Sequence, residues 1–581
     1  MDHRAAPMST TPQSLASVLA PGIRPVLEDT AWPIEVKDLG CLGVLAHIWD
    51  ELGLTELVDV AIPGTEESQL GVGHTLKALV LNVVGGRDPL YRVAKWASEV
   101  PLDVIVGKEV SASQLNDTSL GRQLDRLFDA GAESVFNAAC LRVIAKEKID
   151  VTRVHADTTS RLVFGEYAQP EEGAISITRG HSKDVRPDLK QVMYGLTVSS
   201  DGVPLAGQLL SGNTSDKTWH GGMLDVVNRQ LVVGRGGVIH YVGDSALVTE
   251  ENLNLAAAHG ITITARLPRT YTLHQSIVVR ALHDDDEPLK MEDIGSFSDR
   301  KGASTYEGCV ATGCELHGRK VQLGIYRPTP MNDLAVDQVD RQQRRAIEDA
   351  ERAAARLSKT KFGCEVDARR SLDDFEAKHA SPLLHIDSDV VAVQVEGPRP
   401  RGRPKKDAPA PTMTTHYRTE IAVKGDEEGA AGEVGEASIF VLVHTGATPL
   451  TAREMLAAYK GQSVVEKRFP FLKDPAWADV FFAKHPRRVE TIGYVLLFAL
   501  LLWSVWERRV RANLAASGEP PLVDTTGMAK KHPTAKVCRH ILADLKLSRR
   551  RTGDGFGDWE LTAPLAPEQR RVARFSVAIS T

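Results

Sequence analysis

From Val36 to about Lys148, apolar residues recur at three- and four-residue spacing in LGVLAHIWDELGL, HTLKALVLNVVG, ASQLNDTSLGRQLDRLF and ESVFNAACLRVIAKEK. That spacing predicts helices throughout, with Ser113 or Asp117 capping the third. The period changes at Asp150. IDVTRVHADTT is predicted as a short strand ending at Asp157, and RLVFGEY as a second. KQVMYGLTVSSDGVPLAGQLL reads as a hairpin turning at Asp201-Gly202. A helix over HGGMLDVVNRQLV follows, then GVIHYVGDSAL as a buried strand ending in Asp244. TEENLNLAAAHG is predicted as a helix and ITITARLP as a strand. Strands with interposed helices predict an α/β layer structure, and such sheets place ligands at strand carboxyl ends.

After about Tyr271 the rhythm is lost. SIVVRAL, RKVQLGIYRP, DVVAVQVEG and HYRTEIAVK read as β, with a charged helix from Met331 to Ser358 and the Pro-rich basic tract GPRPRGRPKKDAPAP. SIFVLVHTG then resumes as a core strand and leads into an amphipathic helix that begins near Thr451 and carries YKGQSVVEKRFPFLK. YVLLFALLLWSVW is strongly apolar but shorter than a membrane span, and the ERRVRANL after it restores amphipathicity, so it reads as a buried core helix. The expected division is a flexible amino terminus (1–35), a helical domain for DNA-end binding or dimerisation (36–149), and the first part of an α/β core (150–270). A β-rich insertion (271–437), the second part of the core (438–515) and a carboxy-terminal region (516–581) follow.

A chain of 581 residues is too long for one core. Its 42% apolar and 25% charged residues are ordinary for a folded protein, and its net charge of −6 gives no global basicity. Nucleic-acid binding would rest on local patches. The six cysteines include no CxxC pair, and Cys309 and Cys314 lack a His pair at zinc spacing, so they read as reduced thiols. The amino terminus lacks a charged-then-apolar signal pattern.

Three carboxylates stand out: Asp157 and Asp244 at strand ends, and Glu466 on the later helix. On a continuous helix Tyr459, Gln462, Glu466 and Lys473 lie at offsets of three, four and seven, hence on one face, although Pro470 kinks or ends that helix. Converging buried carboxylates repel unless a cation neutralises them, and hard oxygen ligands favour Mg²⁺ or Mn²⁺ over zinc. His155 and His240 read as buried supporting residues rather than ligands.

Together with HADTT, GHSKD (180–184), GNTSD (212–216) and VGDS, these residues resemble the DDE transposases of bacterial insertion sequences. The resemblance covers roughly residues 150 to 515. It is to the subgroup with a β-rich insertion and a Tyr-Arg-Glu-Lys signature, matched by Tyr459, Glu466 and Lys473, with Gln462 standing where the signature has Arg. It implies a multidomain α/β chain with an RNase H-like catalytic core, and two metal ions held by Asp157, Asp244 and Glu466. The implied activity is metal-dependent cleavage and strand transfer on double-stranded DNA, at terminal inverted repeats and target, by a cytoplasmic, nucleoid-associated homodimer with no membrane partner. Tyr459, Gln462 and Lys473 are the expected DNA contacts of the signature helix; His181, Lys183, Arg266 and Arg269 are further ones. Two alternatives stay open: a domesticated, non-catalytic DNA-binding protein, and an RNase H-like nuclease without strand joining.

Arg399, Arg401, Arg403, Lys405 and Lys406 form RPRGRPKK, which resembles an AT-hook. A narrow A·T-rich minor groove concentrates negative potential and attracts Arg, while proline keeps the chain extended. A solvated basic linker is the equal alternative.

Overall fold

The computed structural model describes residues 24–25 and 34–579, apart from 65–69, 86–87, 168–169, 181–185, 233–237, 284–288, 300–301, 330–332, 397–412, 475–484 and 553–554. The chain divides into two compact units, Met1–Ala265 with Ala458–Thr581, and Arg266–Ala457.

In the first unit five strands follow one another: β1 (Arg153–Val163), β2 (Lys190–Ser199), β3 (Pro204–Ser211), β4 (Ile239–Gly243) and β5 (Ile261–Arg266). They pair in the order β3-β2-β1-β4-β5. β2 is antiparallel to both β1 and β3, whereas β4 and β5 run parallel to β1. The hairpin turn falls at Asp201-Gly202, as predicted, with Gly202 in the left-handed region (φ +78°).

Asp157 does not end a strand. β1 continues through it to Val163, and its antiparallel pairing with β2 extends to Val163↔Lys190. The continuation was masked in the sequence because its inward side chains are polar: Thr158, Ser160 and Arg161 are all buried. Only the parallel partner β4 stops, so Asp157 sits where one neighbour ends rather than where its own strand does.

A helix between β3 and β4, α1 (Asp216–Val227), begins at Ser215, whose hydroxyl accepts the Thr218 N–H. After the second unit the chain forms α2 (Ala452–Lys460), α3 (Ser463–Glu466), α4 (Phe469–Lys473) and the long α5 (Pro486–Ser517). α5 is long and apolar enough to cross a membrane, yet it is the core helix of this unit. Leu496, Leu497, Phe498 and Leu500 are fully buried, and the Phe498 ring packs edge-on against Phe136 with centroids 5.2 Å apart.

Two expectations for the amino-terminal region need correction. Ile34–Asp38 is a strand, not helix, and pairs antiparallel with Lys546–Thr552, which places the basic run Arg549, Arg550 and Arg551 in a strand. The Arg549 guanidinium there lies over the rings of Phe556 and Trp559, at 4.4 and 4.3 Å. The helix Asp117–Asp129 is capped by neither Ser113 nor Asp117. Asn116 does so, accepting the Ser119 N–H at 3.0 Å.

The second unit contains the 271–437 stretch and extends past it on both sides. Glu292–Asp299, Gly302–Leu316, Arg319–Thr329 and Phe440–His444 pair antiparallel in that order. A separate two-stranded ribbon joins Leu384–Glu396 to Met413–Gly425. Cys309 and Cys314 face Ile325 and Val321 in the first hairpin as free thiols, and burial pushes Cys309 up to about 11.

Buried charge ties the first unit together through α5. Glu507 accepts from Arg468 and from Arg511, each at 2.9 Å, and its other oxygen accepts the Ala535 N–H at 3.0 Å. Two residues on, Arg509 reaches Glu147 at 2.6 Å. Glu507→Gln leaves two guanidinium groups facing a neutral amide, and is expected to cost about 3–5 kcal/mol in urea unfolding of the full chain. A midpoint equal to wild type would mean the pair is not stabilising.

Candidate active site

The geometry starts from register. β1 and β4 pair as Arg153↔His240, Val154↔Tyr241 and His155↔Val242. Two residues further along, the same register brings Asp157 level with Asp244. Both carboxylates act on the buried Tyr241 phenol, whose pKa is pushed well up, first by burial, then by Asp244 and Asp157. Asp244 caps a short turn, its Oδ1 accepting the Ala246 N–H at 3.0 Å, and the same oxygen lies 3.2 Å from His220 Nε2. Asp157 Oδ1 accepts the Thr158 N–H at 2.7 Å, and the Thr158 hydroxyl donates to Asp216 at 2.5 Å.

The signature segment is not one helix but three short ones. Between Lys460 and Phe469 the backbone tightens into i→i−3 bonds: Gln462 to Tyr459, Val464 to Gly461, Val465 to Gln462 and Arg468 to Val465. The reason is local packing. A Cβ on Gly461 would sit 2.7 Å from His155 Cε1, so only glycine lets the chain come this close to β1. Pro470 then lies in the first turn of α4, where its missing N–H costs nothing. Tyr459, Gln462, Glu466 and Lys473 therefore do not share a face by helical periodicity.

Gln462 is the clearest correction among the expected DNA contacts. It is 7% exposed, and its amide, oriented to complement the backbone, donates to the Gly243 carbonyl at 3.3 Å and accepts the Asp244 N–H at 3.2 Å. It clamps the peptide that carries the second acid instead of facing solvent. Further along, Arg468 donates to the carbonyls of Gly202 (2.8 Å) and Asp201 (3.3 Å), and the buried Arg161 of β1 donates to the Leu472 carbonyl. Between these anchors Glu466 is exposed, while Tyr459 and Lys473 are half-buried at either end.

His155 is buried, and burial together with Arg153 lowers its pKa to about 4. His240 Nε2 lies 2.7 Å from Thr264 Oγ1. Both are packed within the sheet. Arg266 and Arg269 belong to the second unit: the Arg266 guanidinium lies over Phe440 at 5.6 Å, and Arg269 donates to the Ala437 carbonyl. His181, Lys183, Arg399, Arg401, Arg403, Lys405 and Lys406 lie outside the described residues. Sequence reading missed His220 and Tyr241, which sit in stretches legible only as helix and strand, and it noted Asp216 only as part of GNTSD.

Among the described residues, no three His, Cys, Asp or Glu side chains are gathered closely enough to hold a metal ion. Asp157 and Asp244 both bear on one buried phenol, and carboxylate oxygens are hard donors of the kind a divalent cation prefers. Glu466 is not drawn into a three-acid cluster with them.

Residues 34–141, well under half of the chain, match a family described as a domain of unknown function, DUF4277. No curated protein matches the chain. Among solved structures it is similar to a chain of the cryo-EM structure of piggyBac transposase synaptic complex with hairpin DNA, at 9% identity and a TM-score of 0.35. That likeness covers 86% of this chain and 79% of the other, and is too loose to establish a shared fold.

Gln462→Leu removes both contacts to the Gly243–Asp244 peptide and is expected to destabilise the protein by about 1–3 kcal/mol in urea unfolding. Gln462→Arg, which would restore the signature residue, forces a cation against the same buried peptide. It should also destabilise by the same measurement. Wild-type unfolding midpoints for both variants would show that this side chain does not clamp the peptide.

Proposed function

We propose that the chain is a DDE transposase that cuts and joins DNA at the ends of its own element. One observation carries the reading: Asp157 and Asp244 come level on adjacent parallel strands, with the Glu466 segment clamped to the Asp244 peptide through Gln462. The strand order 3-2-1-4-5, with three antiparallel strands and two parallel to the first, supports an RNase H-like core.

In this reading Asp157, Asp244 and Glu466 would hold two Mg²⁺ ions, or Mn²⁺, which would supply the positive charge that activates an attacking oxygen and stabilises a leaving one. Glu466, exposed on the clamped segment, is the third acid of this reading. Tyr459 and Lys473 flank Glu466 and hold the DNA backbone near the cut. Water attacks the phosphodiester at the element end and releases a 3′-hydroxyl. That hydroxyl then attacks a target phosphodiester, and the displaced target 3′-oxygen leaves with a proton. Terminal inverted repeats and a homodimer give each end one site.

Asp157→Asn, Asp244→Asn and Glu466→Gln keep the shape but lose the charge. Each is expected to reduce Mg²⁺-dependent cleavage of a linear end substrate by more than the roughly 10–100-fold typical of residues that merely support ligands. End binding should survive. Near-normal cutting by any one variant removes that residue from the site, and cutting without joining to added target DNA would make the protein a nuclease.

The basic tract is assigned to affinity. Replacing Arg399, Arg401, Arg403, Lys405 and Lys406 with Ser is expected to flatten log K against log salt by up to about 4, at about 0.9 per phosphate neutralised. The loss should be largest on A·T-rich DNA, with single-turnover cleavage at saturating protein unchanged. A wild-type slope would leave the tract a solvated linker.

A further inference from the structure

We propose that His220 is a positioning residue for Asp244, held by the Tyr241 hydroxyl and fixing the orientation of the carboxylate that receives the cation. The inference rests on the function proposed above and assigns a role that the acids alone do not explain. His220 lies one turn into α1 and is 1% exposed. Its ring has a polar partner on each side: Nδ1 is 3.0 Å from the Tyr241 hydroxyl and Nε2 is 3.2 Å from Asp244 Oδ1.

The partners settle the proton positions. An ionised carboxylate only accepts, so Nε2 carries the hydrogen; in the neutral ring Nδ1 then accepts, and the Tyr241 O–H donates to it. The phenol keeps its proton, because burial and the two neighbouring carboxylates all oppose its ionisation. A directed chain results, from Tyr241 through His220 to Asp244.

Packing holds the ring in that line. The indole of Trp219 lies against it with centroids 4.8 Å apart, and a Cβ on Gly243 would sit 3.1 Å from His220 Cε1. The first residue of the same helix, Asp216, accepts from Thr158 beside Asp157. One rigid helix thus bears on both acid-carrying strands, and His220 is its contact with the second acid. Asp244 Oδ1 also accepts the Ala246 N–H, so this oxygen is held by two donors from different parts of the chain.

The test uses the full chain with a linear DNA end, and compares His220→Gln with His220→Asn. The glutamine amide nitrogen reaches the place of Nε2 and keeps the donor to Asp244, whereas the shorter asparagine does not. Mn²⁺ binding is followed by electron paramagnetic resonance, alongside the Mg²⁺ half-saturation of cleavage, metal-free end binding and thermal unfolding. His220→Asn is expected to weaken Mn²⁺ binding and slow cleavage about 10–100-fold at unchanged end affinity. His220→Gln should restore both. A folded His220→Asn with wild-type Mn²⁺ affinity and cleavage overturns the inference, as does equal impairment of both variants in step with lost thermal stability. Wild-type protein that neither binds Mn²⁺ nor cuts would instead sink the transposase reading and this role with it.

Discussion

The arrangement of the first unit depends on one buried ion pair. Arg468 follows Glu466 by two residues and is 7% exposed, so its charge has to be matched inside the protein. Glu507 of α5 matches it at 2.9 Å, and the carbonyls of Gly202 and Asp201 each accept a further N–H from it. One guanidinium therefore binds the acid-bearing segment to the core helix and to the β2–β3 turn. The turn is shaped to receive it: a Cβ on Gly202 would lie 2.5 Å from Arg468 Nη2 and 2.9 Å from Val464 Cγ1. Glycine at this place serves both the left-handed backbone and the close approach.

Given that anchor, the broken helix around Glu466 has a mechanical explanation. A continuous helix would carry its side chains past the sheet at a fixed 100° per residue. The segment instead has to meet His155 at Gly461, the Gly243–Asp244 peptide at Gln462, the hairpin turn at Arg468 and Arg161 at Leu472. On a continuous helix Gly461, Arg468 and Leu472 would share a face with Gln462 about 100° away, and the i→i−3 turns change that placement. Glu466 is left outward between inward anchors, a carboxylate on a rigid support rather than on a mobile loop.

Asp157 and Asp244 are held by neighbours of modest chemistry. Asp244 is bounded by a histidine, a glutamine and a backbone amide; Asp157 by its own strand and by Thr158, which leads to Asp216. Each partner donates to a carboxylate or braces the peptide that carries it. Their common effect is on Tyr241, kept neutral beneath both.

Periodicity in the sequence was enough to determine the β2–β3 hairpin, the strand before Asp244, the buried character of α5 and the α/β class of the first unit. Those features depend on which side chains avoid water, and hydrophobic spacing records that directly. Asp157 and Asp244 stood out in the sequence as carboxylates expected at the ends of apolar strands. What only the tertiary structure decided involves polar groups buried against partners far away in sequence. β1 runs on past Asp157 because Thr158, Ser160 and Arg161 are satisfied or enclosed inside, although they read as a strand ending. Gln462 turns inward because a peptide 218 positions earlier offers it a donor and an acceptor, and His220 acquires a role only once β4 sets Tyr241 and Asp244 on either side of its ring. A buried polar side chain is stable only where its partner is, and the partner's place is a property of the fold, not of local sequence.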